Sequence, residues 1–153
     1  MTEINISELS VGDWIATESA QLTIEGDDIA TAFVDKVKKP IQIVSVLGAE
    51  QLVFGRIDGL DGFTTIYLKA EHIEPIPLTP EILEKNGFRK NGNYNEWNLG
   101  EWDDIPFIGI SLDRQSMRIK NFGTDIFISC KVVYVHQLQR ALRLAQVMRK
   151  IEV

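Results

Sequence analysis

In the stretch YVHQLQRALRL, residues 134–144, His136, Arg140 and Arg143 stand at i, i+4 and i+7. On a helix that spacing sends all three side chains from one face. Two guanidinium groups and an imidazole there could hold a phosphate or carboxylate through charge-assisted, bidentate hydrogen bonds. A second basic row comes from Arg114, Arg118 and Lys120, the last two alternating with Met117 and Ile119 in an extended segment. If both rows face one cleft, a small anion has a site; otherwise each row is an ordinary solvated face. Trp97 and Trp102 offer flat aromatic surfaces suited to a nucleobase, a protein partner or the core.

Catalytic groups are scarce by comparison. His72 and His136 lie far apart in sequence and neither stands in a metal-hydrolase or two-histidine frame. The serines lack a nucleophile-elbow glycine pattern, and neither a Walker loop nor GxGxxG occurs. Glu101, Asp103 and Asp104 in EWDD could supply oxygen ligands, but EF-hand order is missing and a solvated loop is the better reading. DGLDG, residues 58–62, reads as a hairpin loop for the same reason. Cys130 is the only cysteine, which excludes an internal disulfide, and its β-like flanks suggest a buried, inert thiol. The expectation is a binding protein rather than an enzyme, with no metal and no cofactor.

Composition bounds the partners. The 153 residues are 44% hydrophobic and 25% charged, as in ordinary globular proteins. The opening MTEINISELSVGDW has no basic segment leading into an apolar one, and no apolar run approaches the roughly 18 residues that span a bilayer. A cytoplasmic protein with no membrane partner is expected. The net charge of −6 disfavours a nucleic-acid polymer, whose affinity rests on many Lys and Arg contacts to phosphate. That average hides a gradient: residues 1–35 hold eight carboxylates and no Lys or Arg, whereas residues 114–153 hold eight Lys or Arg against Asp125 and Glu152. An anion should therefore meet the C-terminal part, unless the two ends simply attract each other.

The elements that must position these residues read as α+β. VGDWIAT, KPIQIVSVL, QLVFGRI, FTTIYL and HIEPIPL are short strands, with Ile41, Ile43 and Leu47 on one face of the second and Ile66 with Leu68 on one face of the fourth. Five such strands can close into a small SH3-like β-barrel. An acidic excursion over residues 18–38 suggests a hairpin inserted on it. In EPIPLTPEILEKNGF, Pro75 and Pro77 end the ladder, Thr79 caps a helix with Pro80 at its first position, and Gly87 stops it, with Leu78 and Phe88 packing toward Leu83. The barrel is thus expected over residues 1–78. Residues 79–153 follow as an antiparallel sheet built from the Asn-Gly turn of FRKNGNYNEWNLG, FIGISL, MRIKNF and IFISCKVV. A terminal amphipathic helix over residues 134–148 carries the stripe Tyr134, Leu138, Ala141, Leu142, Ala145 and Met148.

LSVGDWI, IEPIPLTPEILEKNGF and YVHQLQRAL together resemble a family of small uncharacterised proteins carried in gut-bacterial genomes, their mobile elements and phages. The resemblance brings no catalytic residue. It implies interaction with a host, hence an anti-defence sponge sequestering a small anionic nucleotide signal. The alternative is a protein-interaction module whose barrel and acidic hairpin grip a host or phage protein. Both readings leave room for a homo-oligomer.

Overall fold

The computed structural model describes residues 4–17, 19–24, 32–35, 40–57, 64–92, 95–101, 106–121 and 124–153. The chain divides into two units, Met1–Ile76 and Pro77–Val153.

The first unit starts with a turn. Gly12 takes φ +90, the Asp13 N–H donates to the Ser10 carbonyl at 3.1 Å, and the Ser10 N–H donates to Asp13 Oδ2 at 2.9 Å. Glycine at the third turn position supplies the left-handed backbone that a side chain resists. From this turn the chain enters β1 (Trp14–Ala16), then β2 (Ser19–Ile24), β3 (Ala32–Asp35), β4 (Ile41–Leu47), β5 (Leu52–Ile57), β6 (Thr64–Lys69) and β7 (Glu74–Pro75). They form one antiparallel sheet in the order β3-β2-β6-β5-β4-β1-β7. Residues 18–38 contain the β2–β3 hairpin, which joins the sheet through β2 and β6; its EGDD tip, residues 25–28, lies outside the described residues.

The sheet is open. Strands β3 and β7 are its edges, and no ladder among the described residues joins them, so the expected closed five-strand barrel is not found. A second correction concerns β4. Its register against β5 shifts between Ile43 and Ser45, and a bulge reverses which side chains face the core beyond it. Ile41 and Ile43 are buried as expected, but Val46 packs against the core and Leu47 is exposed. That core joins Ile6, Leu9, Ile15, Ile41, Ile43, Val53, Leu68 and Ile73. It closes around Gly55, where a Cβ would lie 2.2 Å from Ile41 Cγ2.

The second unit opens with α1 (Pro80–Lys85), whose punctuation is the one its sequence spells. Thr79 Oγ1 accepts from the Ile82 N–H at 3.4 Å and Pro80 occupies the first turn. At the other end Gly87, at φ +80, donates to the Glu84 carbonyl at 2.9 Å, and Phe88 donates to the Leu83 carbonyl at 3.0 Å. This is the paired C-terminal motif in which the residue after the glycine folds back; Leu83 and Phe88 are both buried. A five-stranded antiparallel meander follows: β8 (Arg89–Asn91), β9 (Glu96–Leu99), β10 (Phe107–Ser111), β11 (Ser116–Asn121) and β12 (Thr124–Lys131), in the order β12-β11-β10-β9-β8.

The terminal helix α2 (Val135–Leu144) is shorter than its periodicity suggests. Gln146 takes φ +58, its N–H donates to the Arg143 carbonyl at 3.0 Å, and Val147 donates to the Leu142 carbonyl at 2.9 Å. Leu138, Ala141, Leu142 and Ala145 are buried, while Met148, past the stop, is 100% exposed. The last residues are tied to the C-terminal end of α1. The Asn86 amide donates to the Glu152 carbonyl at 2.7 Å and accepts from its N–H at 2.9 Å, and Ile151 is buried. No described helix is long and apolar enough to cross a membrane.

Candidate functional site

Strand alternation gives the second sheet two unlike faces. On one, Trp97, Ile110 and Met117 are cross-strand partners, as are Ile108 and Ile119, and all five are buried. On the other, Arg89, Asn98, Gly109 and Arg118 form one row across four strands, with Asn91, Glu96, Ser111 and Ser116 in the next. Polar side chains can lie flat across the middle of this face because Gly109 has none. A Cβ there would come within 3.3 Å of both Asn98 Oδ1 and Glu96 Oε1 and 3.4 Å of the Phe107 ring.

Beside that centre is a hollow of about 500 Å³ whose lining includes Asn91, Asn95, Ser111, Arg114 and Arg118. Glu96 and Asp113 also line it, and both are engaged. Glu96 is ion-paired with Arg118, and Asp113 Oδ2 accepts from Asn95 Nδ2 at 2.6 Å. Arg114 is carried by the turn between β10 and β11, where its N–H donates to Ser111 Oγ at 3.3 Å and Gln115 takes φ +50. A guanidinium has five N–H donors in a fixed fork, so the bond to Glu96 leaves Arg118 further donors for a ligand.

The sequence-predicted residues thus separate. Arg114 and Arg118 share the hollow. Lys120 lies two residues beyond Arg118 on the same strand, opposite Phe107, and is not among the lining residues. On α2 the predicted trio is split: His136 is only 3% exposed and stacks on Tyr134, centroids 5.8 Å apart, whereas Arg140 and Arg143 are exposed. The buried arc of the helix is widest in its first turn, so the shared-face argument fails at His136. No α2 residue lines the Arg114/Arg118 hollow, and the two basic rows do not meet in it. Trp97 is a core residue rather than a ligand platform. Trp102, Asp103, Asp104 and residues 58–62 lie outside the described residues. Cys130 is half-buried rather than buried as expected, and that partial burial raises its thiol above the ordinary pKa. Among the described residues no three His, Cys, Asp or Glu side chains are grouped to hold a metal ion.

Asn91, Asn95, Glu96, Asn98 and Gly109 were missed by the sequence reading. A signal existed, since Glu96 and Asn98 flank Trp97 in EWNL, and a buried tryptophan forces its neighbours to the opposite face. Compared with family models, curated proteins and solved structures, the chain finds no match in any of the three.

Proposed function

We propose that this chain is a non-catalytic binding protein that captures a small anionic ligand on the polar face of its second sheet. The nucleotide signals sequestered by an anti-defence sponge of phage or mobile-element type are the ligand class. The observation that supports this is the approach of Arg114 and Arg118 to one hollow whose remaining walls are amides, a hydroxyl and already engaged carboxylates. The lining carries two cations against two carboxylates, so hydrogen-bond geometry rather than net charge sets affinity. Calorimetric titration with cyclic and ADP-ribose-type nucleotides tests the reading. Binding should weaken about tenfold or more in Arg114→Ala/Arg118→Ala and stay unchanged in Arg140→Ala/Arg143→Ala. No binding by any of these nucleotides, or a reversed variant pattern, rejects it.

A second reading makes the first unit a protein-interaction module. It is supported by a hollow of about 900 Å³ with Ile4, Ile6, Leu52 and Ala70 in its lining beside Glu50, Glu71 and Lys69; two carboxylates against one cation leave it acidic on balance, which suits a basic segment with apolar side chains. An SH3-like character for this unit belongs to the same proposal. Its support is that β1 and β2, two residues apart in sequence, flank the β4–β6 meander on both sides, against β4 and β6 respectively. Capture of a basic partner that survives Glu50→Lys/Glu71→Lys would count against this reading.

A further inference from the structure

The four charged groups of the Arg114/Arg118 hollow are not equivalent. Arg118 and Glu96 are ion-paired and neutralise each other, and the Glu96 side chain is only 15% exposed. Among the described residues Arg114 has no carboxylate partner, while Asp113, its neighbour in the turn, is held by the neutral amide of Asn95. Strand register puts Glu96, Ser111 and Arg118 on one face of the sheet, and Asp113 and Arg114 reach the same hollow from the turn after β10. Ser111 Oγ accepts from the Arg114 N–H at 3.3 Å, which leaves its hydroxyl hydrogen for a ligand oxygen. Donors therefore converge, yet the lining as a whole carries two cations against two carboxylates and has no surplus charge. That balance penalises a second negative charge on a ligand. The cost of taking an ion out of water grows as the square of its charge, and only surplus positive groups could offset the increase. A phosphomonoester carries nearly two charges at neutral pH, because its second pKa is about 6. A phosphodiester carries one, spread over two oxygens.

We infer that the hollow proposed above as the ligand site, a reading on which this step rests, selects a singly charged phosphodiester, as in a cyclic nucleotide, over a phosphomonoester. The two anionic oxygens of the diester take the Arg114 fork, the Arg118 N–H groups that Glu96 leaves, and the Ser111 hydroxyl. Glu96 and Asp113 set the preference by repulsion: they hold the lining neutral and so exclude the doubly charged competitor.

The test is calorimetric titration of the full-length chain with matched pairs, cyclic AMP against AMP and cyclic GMP against GMP, with ADP-ribose as a further probe. At about pH 8 a cyclic form should bind about fivefold more tightly than its monoester. The preference should shrink as pH falls through about 6, where the monoester gains a proton and keeps one charge. Asp113→Asn, at an exposed turn position, keeps an acceptor for Asn95 but gives the lining a surplus positive charge. It should tighten the monoester about threefold more than the cyclic form. Equal binding within the pairs, a preference for the monoesters, or a preference that Asp113→Asn leaves unmoved would overturn the selection while the proposed function stands. No binding by any of the four monophosphates would also overturn it, and failure of ADP-ribose as well would remove the proposed function.

Discussion

Asn86 shows how much a single amide can hold. Its side chain donates to the Ile82 carbonyl at 2.8 Å and to the Glu152 carbonyl at 2.7 Å, and accepts from the Glu152 N–H, while Arg149 donates to the Asn86 carbonyl. Removing the amide leaves three part-buried hydrogen bonds unmade, so Asn86→Ala should cost about 1–2 kcal/mol in a urea titration. Nothing in KNGF announces this role, because the partner residue Glu152 lies 66 residues away in sequence. Cys130 was legible in part: its neighbours predicted a buried thiol, and it is half-buried, enough for desolvation to raise its pKa. A raised pKa leaves less thiolate at neutral pH, so alkylation by iodoacetamide should be slower than for a free thiol and should rise with pH over a higher range. His136 marks the limit of spacing arguments, since i, i+4 and i+7 fix the direction of a side chain but not how far the neighbouring core reaches around the helix.

Elements were readable where their stop signals are local. Thr79, Pro80, Gly87 and Phe88 specify α1 within ten residues, and the hydrogen bonds follow that specification. Glu81 adds a pH term. Hydrogen bonds from its own backbone and from Thr79 lower its pKa, so its contribution is present above the unfolded-state pKa and is lost as pH falls through the lower folded value. The end of α2 was hidden because glutamine, not glycine, takes the left-handed position. Gln146→Gly should relieve that strain and stabilise the protein by about 0.5–1 kcal/mol in the same titration. The β4 bulge was hidden for a related reason, since alternation assumes an unbroken ladder and Val44 breaks it. Gly55 is the converse case. In a strand a lone glycine signals close approach, and here Ile41 fills the space of its missing side chain. Gly55→Ala should therefore destabilise by about 1–3 kcal/mol through overpacking.

For the whole molecule, composition and punctuation were enough to indicate α+β architecture and antiparallel sheets. Closure of the first sheet was not readable, because strand pairing depends on long-range registers that alternation leaves open. The acidic and basic halves were plain in the sequence, but net charge says only where an anion should arrive, not which side chains converge. The turn between β10 and β11 brings Arg114 to the hollow that Arg118 lines, and no α2 arginine lines it; the proposed function rests on that difference. The most direct test of that difference is calorimetric titration of the intact protein and the two double variants with cyclic and ADP-ribose-type nucleotides. Binding that is lost in Arg114→Ala/Arg118→Ala and kept in Arg140→Ala/Arg143→Ala is the predicted result; binding kept in the first and lost in the second would contradict it.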